Sequence, residues 1–215
     1  IKIGEEQFRV FFTGNPSYEN IDKTALIKKK KIKEKLGIES ENYIVMIKHP
    51  LSSELEFVDF QIRMTLNALK IFCLEYDFQL IAIEPNSDPG SLAIKKAISE
   101  FSNEKWIISH KTLQRSIFVN LIRHAKALVG NSSMGILEAP HYKLPVVNIG
   151  PRQLGRLNAG NVLFVDYDSK TINNALEKSC FNKSYRKSIK EILNPYGDGT
   201  ASKKIIKIIE SIDMK

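Results

Sequence analysis

Short unbroken apolar runs alternate along this chain with longer segments in which apolar residues return every third or fourth position. Residues 43–47, 78–83, 106–109, 127–129, 145–150 and 162–165 are of the first kind, and each reads as a strand buried on both faces. Between them, Leu55, Val58, Ile62, Leu66, Leu69 and Cys73 keep helical spacing, and the same rule predicts helices over residues 91–101, 116–124, 134–141, 172–179 and 183–193. A final helix, with Thr200 as its expected cap, carries Ile205, Ile208, Ile209 and Ile212 as one stripe. Repeated strand-helix units predict an α/β fold: a Rossmann-like parallel sheet covered on both faces. Ligands on such sheets lie beyond the carboxyl ends of the strands. His49, Asn86, Leu113 and Ser132 each fall just after a predicted strand.

The start of the chain is less regular. Residues 9–13 predict a short strand that stops at the turn signal Gly14-Asn15-Pro16, and residues 21–36 a basic amphipathic helix that ends at Gly37. That strand stands alone in the pattern.

Residues 128–156, LVGNSSMGILEAPHYKLPVVNIGPRQLGR, carry the candidate chemistry. A strand breaks at Gly130-Asn131-Ser132-Ser133 and gives way to a helix, an arrangement that aims unpaired N–H groups and hydroxyls at an anion. On those residues alone, simple capping of the helix explains as much. Glu138 changes the picture, because a carboxylate there suits sugar hydroxyls rather than phosphate. Beyond the next strand, Arg152 and Arg156 can pair with phosphate oxygens. Donors, a hydroxyl acceptor and cations in one strand-helix-strand unit are what a nucleotide sugar needs.

These residues also carry a resemblance. GNSSMGILEAP, PVVNIGPRQLGR and the later NPYGDG resemble the C-terminal half of hydrolysing UDP-N-acetylglucosamine 2-epimerases of the sialic-acid and legionaminic-acid type. No Walker loop or dinucleotide fingerprint is present. The resemblance implies one half of a two-domain fold of the glycosyltransferase-B type. Residues 1–38 would then close an N-terminal domain and bridge to the next, residues 39–198 would form the UDP-binding domain, and residues 199–215 would return towards an N-terminal domain missing here. It further implies that His49 contacts the UDP phosphates and serves turnover, and that Asn86 lies near the nucleotide. The backbone at Leu113 and the ring of Phe118 would line the uracil pocket, although Phe118 reads equally well as core. Ser132 and Ser133 would hold the diphosphate, Gly135 would allow close backbone approach, Glu138 would hold the ribose, and Arg152 would sit near the diphosphate. Arg156 reads as support. Pro151 departs from the Asp, Thr or Ser that many relatives have, which leaves the direction of Arg152 open.

Composition adds little to this. The net charge is +8 and the pI about 9.3, but the lysines cluster on segments with helical apolar spacing, so solvated helix faces are the expectation and nucleic acid is not. Cys73 and Cys180 have no metal-ligand spacing and read as buried thiols. No apolar run approaches the roughly 18 residues of a membrane span, and no signal peptide is evident, so a cytoplasmic protein without membrane contact is expected. Neither metal nor organic cofactor is implied. The expected partners are UDP-N-acetylglucosamine or a related UDP-sugar and the N-terminal domain, and a homo-oligomer is compatible with the sequence. The expected activity of the intact enzyme is release of UDP by elimination, followed by hydration to an N-acetylmannosamine-type sugar. The proton-abstracting carboxylates would belong to the N-terminal domain, so this chain alone is expected to bind UDP weakly and turn nothing over. A glycosyltransferase of the same fold and a non-catalytic nucleotide-sugar module are the alternatives.

Overall fold

The computed structural model describes residues 4–212. After a single 3-10 turn (Gln7–Arg9), the chain forms α1 (Ser17–Lys23), α2 (Lys29–Leu36), β1 (Asn42–Ile47), α3 (Val58–Tyr76), β2 (Phe78–Ile83), α4 (Ser91–Ser99), β3 (Ile107–His110), α5 (Arg115–His124) and β4 (Leu128–Gly130). There follow α6 (Met134–Leu137), β5 (Val146–Ile149), β6 (Val162–Val165), α7 (Ser169–Phe181), α8 (Lys183–Glu191) and α9 (Ala201–Ser211). All strand pairs are parallel, in the order β3-β2-β1-β4-β5-β6. From β1 the chain winds outward to one edge, returns to β4 beside β1, and winds to the other. The crevice between β1 and β4 is therefore the switch point where open α/β sheets take ligands.

Alternation along β1 divides the core. Ile44 and Met46 face the side packed by α3, α4 and α7, while Tyr43, Val45 and Ile47 face the side packed by α2, α5 and α6. Register lines up the carboxyl ends: Ile47 pairs with both Ile83 and Gly130, Ile83 with His110, and Gly130 with Asn148. That row is the floor of the site.

Four local expectations are corrected. Residues 10–13 form no strand, and Phe8, Phe11 and Phe12 are exposed. The chain is instead anchored where the Asn15 N–H donates to the Tyr196 carbonyl at 2.8 Å. The basic helix is two helices, since α5 captures the backbone between them: Asn120 accepts from the Ile27 N–H and donates to the Ala25 carbonyl, while Arg123 donates to the carbonyls of Thr24 and Ile21. Gly37 does end α2, in the left-handed conformation. The helix expected over residues 134–141 stops at Leu137, for Pro140 has no N–H to continue it. Thr200 occupies the N-cap of α9 without capping it; Asp198 Oδ1 accepts both its N–H (3.1 Å) and its hydroxyl (2.6 Å). Of the apolar stripe Ile205 and Ile208 are half-buried, while Ile209 and, just past α9, Ile212 are exposed; Ile206 is exposed as well.

Candidate functional site

The site is built on Gly130. Its φ is +125°, and a Cβ there would lie 2.2 Å from the Ile47 carbonyl oxygen. Only glycine lets β4 end this close to β1.

Asn131 then does what its neighbours in sequence do not disclose. Its side chain is buried, with Oδ1 accepting from the His49 N–H at 2.7 Å and Nδ2 donating to the His49 carbonyl at 2.8 Å. Its own carbonyl accepts from Arg152 Nη1 (3.1 Å) and from the buried Gln153 Nε2 (3.0 Å). One asparagine thus fixes the ends of β1 and β4 and the turn after β5. The sequence marks it only as a turn former. Arg156 in turn donates to Gln153 Oε1 at 2.8 Å, away from the crevice. Pro151 opens the 3-10 turn Pro151–Gln153, a position that needs no N–H, so Arg152 is directed back at β4.

Ser132 and Ser133 are half-buried and partly occupied as caps. Ser132 Oγ accepts from the Met134 N–H at 3.3 Å, and the Ser133 carbonyl accepts from Ile136 and Leu137. The N–H groups of Ser132 and Ser133 themselves find no acceptor among the described residues. With α6 only four residues long, the useful electropositivity is that of these local donors rather than of a long helix dipole. Gly135 faces the sheet: a Cβ there would meet Val146 Cγ1 at 2.8 Å, so its smallness serves helix-on-sheet packing. Gly135→Ala should cost about 1–3 kcal/mol in urea unfolding. Combined with Val146→Ala, it should cost less than the two single changes added together.

Glu138 lies at the turn leaving α6, half-buried; its N–H donates to the Met134 carbonyl, while its carboxylate makes no hydrogen bond or ion pair among the described residues. Burial raises its pKa, with Arg115 and His141 pulling the other way. Across the crevice His49 is half-buried, and Nδ1 is enclosed without a partner among the described residues. Burial first, then Arg152, lowers its pKa, while the nearby Asn86 side chain and the charge of Asp88 oppose this. Asn86 is exposed beside it and also closes a loose turn with the Asp88 N–H at 3.5 Å. Leu113 and Phe118 are partly buried against the α2/α5/α6 side of the core, which makes Phe118 a packing residue first. Two groups on this rim were passed over in the sequence. His110 ends β3 with Nε2 buried and, among the described residues, unpartnered. Lys48, next to His49, is only 2% exposed. Nothing in the periodicity of β1 distinguishes it from a surface lysine.

Much of the positive charge belongs elsewhere. Lys29 and Lys33 hold Glu41 at 2.7 and 3.0 Å, at the amino end of β1, opposite the rim. Among the described residues no cluster of His, Cys, Asp or Glu could hold a metal ion, and no helix is long and apolar enough to cross a membrane. Cys73 and Cys180 are buried free thiols.

The sequence profile of the family described as UDP-N-acetylglucosamine 2-epimerase matches residues 1–210. The chain belongs to this family. It is 29% identical over 180 residues to a UDP-N-acetylglucosamine 2-epimerase of Neisseria meningitidis serogroup B, covering 84% of this chain and 46% of that protein. It is 28% identical over 215 residues to the hydrolysing UDP-N,N'-diacetylbacillosamine 2-epimerase of Legionella pneumophila, covering 100% and 55%. The chain thus spans about half the length of the curated relatives it matches. Among solved family structures, the N. meningitidis enzyme bound to UDP-GlcNAc superposes with a TM-score of 0.79 at 19% identity, covering 98% of this chain and 58% of that one. Staphylococcus aureus MnaA in its UDP co-structure gives 0.75 at 21%, covering 97% and 55%. At such identities the likeness establishes the fold: the Rossmann-like, parallel-sheet domain of the glycosyltransferase-B type.

Proposed function

We propose that the crevice between β1 and β4 binds the UDP part of a UDP-N-acetylated sugar, and that the intact family member is a hydrolysing 2-epimerase. The observation that carries this is the convergence on one rim of the unused Ser132 and Ser133 N–H groups, Arg152 held against β4, and the unengaged Glu138 carboxylate. The amides and Arg152 suit a diphosphate, and Glu138 suits vicinal ribose hydroxyls. His49, kept neutral by burial, offers an imidazole that gains a proton as the leaving diphosphate accumulates charge. Asn86 would orient it, and Leu113 with Phe118 would flank the base. Positioned donors of this kind stabilise a departing UDP. Family names that include hydrolysing epimerases support the finer assignment, as do neighbours whose structures hold UDP or UDP-GlcNAc. The trehalose-6-phosphate synthase OtsA, with a TM-score of 0.57 against 0.79, gives the glycosyltransferase alternative less support.

In this reading residues 39–198 are the nucleotide domain, and residues 1–38 and 199–215 seat against a second domain that supplies the acids and bases. The first three and last three residues of those segments lie outside the described structure. Exposed Phe8, Phe11, Phe12, Ile206 and Ile209 favour such seating. The chain alone should bind UDP and release none from UDP-N-acetylglucosamine in a coupled UDP assay.

Glu138→Gln tests the ribose contact. Calorimetric UDP affinity should fall about ten- to hundredfold, the loss typical of a hydrogen bond to a charged group. Stability should move oppositely. A carboxyl whose folded pKa is raised favours the fold when protonated, and that contribution is lost as pH rises through the folded pKa. The glutamine variant should therefore melt higher than the parent at neutral pH and level with it in acid. Unchanged UDP affinity would remove Glu138 from the site.

A further inference from the structure

Lys48 directly follows β1, in step with Ile44 and Met46 on the α3/α7 side, and its side chain is buried. A buried ammonium needs three acceptors or an anion. Among the described residues Lys48 Nζ has one acceptor, the Tyr167 hydroxyl at 3.1 Å, and it lies 4.7 Å from the centre of the same ring. The charged groups that bear on it are Glu54, from the 3-10 segment Ser52–Phe57, and Arg152, from the turn after β5. Burial, reinforced by Arg152 and opposed by Glu54, brings the amine down to about 7.

Tyr167 links this amine to the candidate anion site. Its hydroxyl sits over Gly150, where a Cβ would lie 2.3 Å away, and Gly150, at φ +86°, launches the turn that carries Arg152 and Gln153. Both of those side chains donate to the Asn131 carbonyl, and the Asn131 side chain holds the backbone of His49. The peptide bond from His49 back to Lys48 closes a ring: Lys48, Tyr167, Gly150, Arg152, Asn131, His49. Three strand ends and the segment after β6 are tied together through it.

We propose that Lys48 is a positioning residue of the anion site, which sets the Arg152 turn through the Tyr167 hydroxyl and supplies the rim with a further cation when a diphosphate occupies it. This rests on the reading of the crevice as a UDP-sugar site. The cation arises by uptake of one proton from solvent on Nζ, and the entering negative charge makes that uptake favourable. A structural lysine that merely fills space would not couple proton uptake to ligand binding. Lys48 below its folded pKa is charged already, so affinity is highest there and declines as pH rises through that value. His49, with its pKa lowered from 6.5, titrates lower still and is separable.

The test is calorimetric binding of UDP-N-acetylglucosamine to the full chain from about pH 6 to pH 9, a range in which a diphosphate diester does not titrate and free lysine stays charged. The expected result is a falling affinity for the parent, and for Lys48→Met a loss of about tenfold at the acid end with a flattened profile. Lys48→Arg, permanently charged, should keep its affinity at the alkaline end. Tyr167→Phe keeps the ring and removes only the hydroxyl, so it provides a variant with little risk to folding; it too should bind several-fold more weakly. Parent-like affinity and pH profile in both Lys48→Met and Tyr167→Phe overturn the inference and leave the UDP-sugar reading intact. A parent chain that binds no UDP-N-acetylglucosamine at any pH overturns both.

Discussion

Gly130→Ala is expected to destabilise the domain by at least about 3 kcal/mol and to leave it largely insoluble at growth temperature. Two costs add. At φ +125° an alanine is strained by backbone sterics alone. Its Cβ would also stand 2.2 Å from the Ile47 carbonyl oxygen, an atom fixed in the sheet and already accepting the Asn131 N–H at 3.1 Å. Neither β1 nor β4 can yield without breaking the Ile47–Gly130 register, which sits at the centre of six strands. Urea unfolding followed by circular dichroism gives the measurement. A midpoint within experimental error of the parent would mean that the switch point is far more pliable than its geometry indicates.

Asn131→Ala should cost about 2–6 kcal/mol, because the half-buried N–H and carbonyl of His49 each lose a partner worth about 1–3 kcal/mol. The larger consequence is functional. With the clamp gone, His49 no longer has a fixed position relative to Ser132, and the main-chain displacement reaches Arg152 through the shared Asn131 carbonyl. UDP affinity should drop by more than about tenfold even at temperatures where the variant is fully folded. Chemical denaturation and calorimetry on the same preparation separate the two effects. Full affinity in a folded but weakened variant would show that the binding geometry is set elsewhere.

The strands at residues 78–83 and 162–165 were legible because a continuous apolar run between polar turns has one stable use in a layered α/β fold, the doubly covered parallel strand. Gly37 was legible as a helix end for an equally local reason. What escaped is what depends on partners far away in the chain. The break between α1 and α2 is imposed by Asn120 and Arg123, roughly a hundred residues on, whose side chains offer the backbone a better bargain than another helical turn. Asn131 looks like any turn asparagine until His49 is placed opposite it, and Lys48 looks like a surface lysine until Tyr167 arrives, 119 positions later. The same holds for Gly135, whose neighbour Val146 explains it better than any ligand. Residues 128–156 make the candidate site legible, because an amide-rich turn, a carboxylate and arginines in one unit have few joint uses.

The seam between the two ends of the described chain has a mechanical implication. Gly14 and Gly197 touch backbone to backbone, the Asn15 N–H is held by Tyr196, the Ser202 N–H by Glu19, and Asp22 reaches His141 at 2.7 Å. Helices α1 and α9 are thereby riveted into one lever whose fulcrum is that pair of glycines. Torque applied to either arm is delivered through the Asp22–His141 contact to the short turn whose first residue is Glu138.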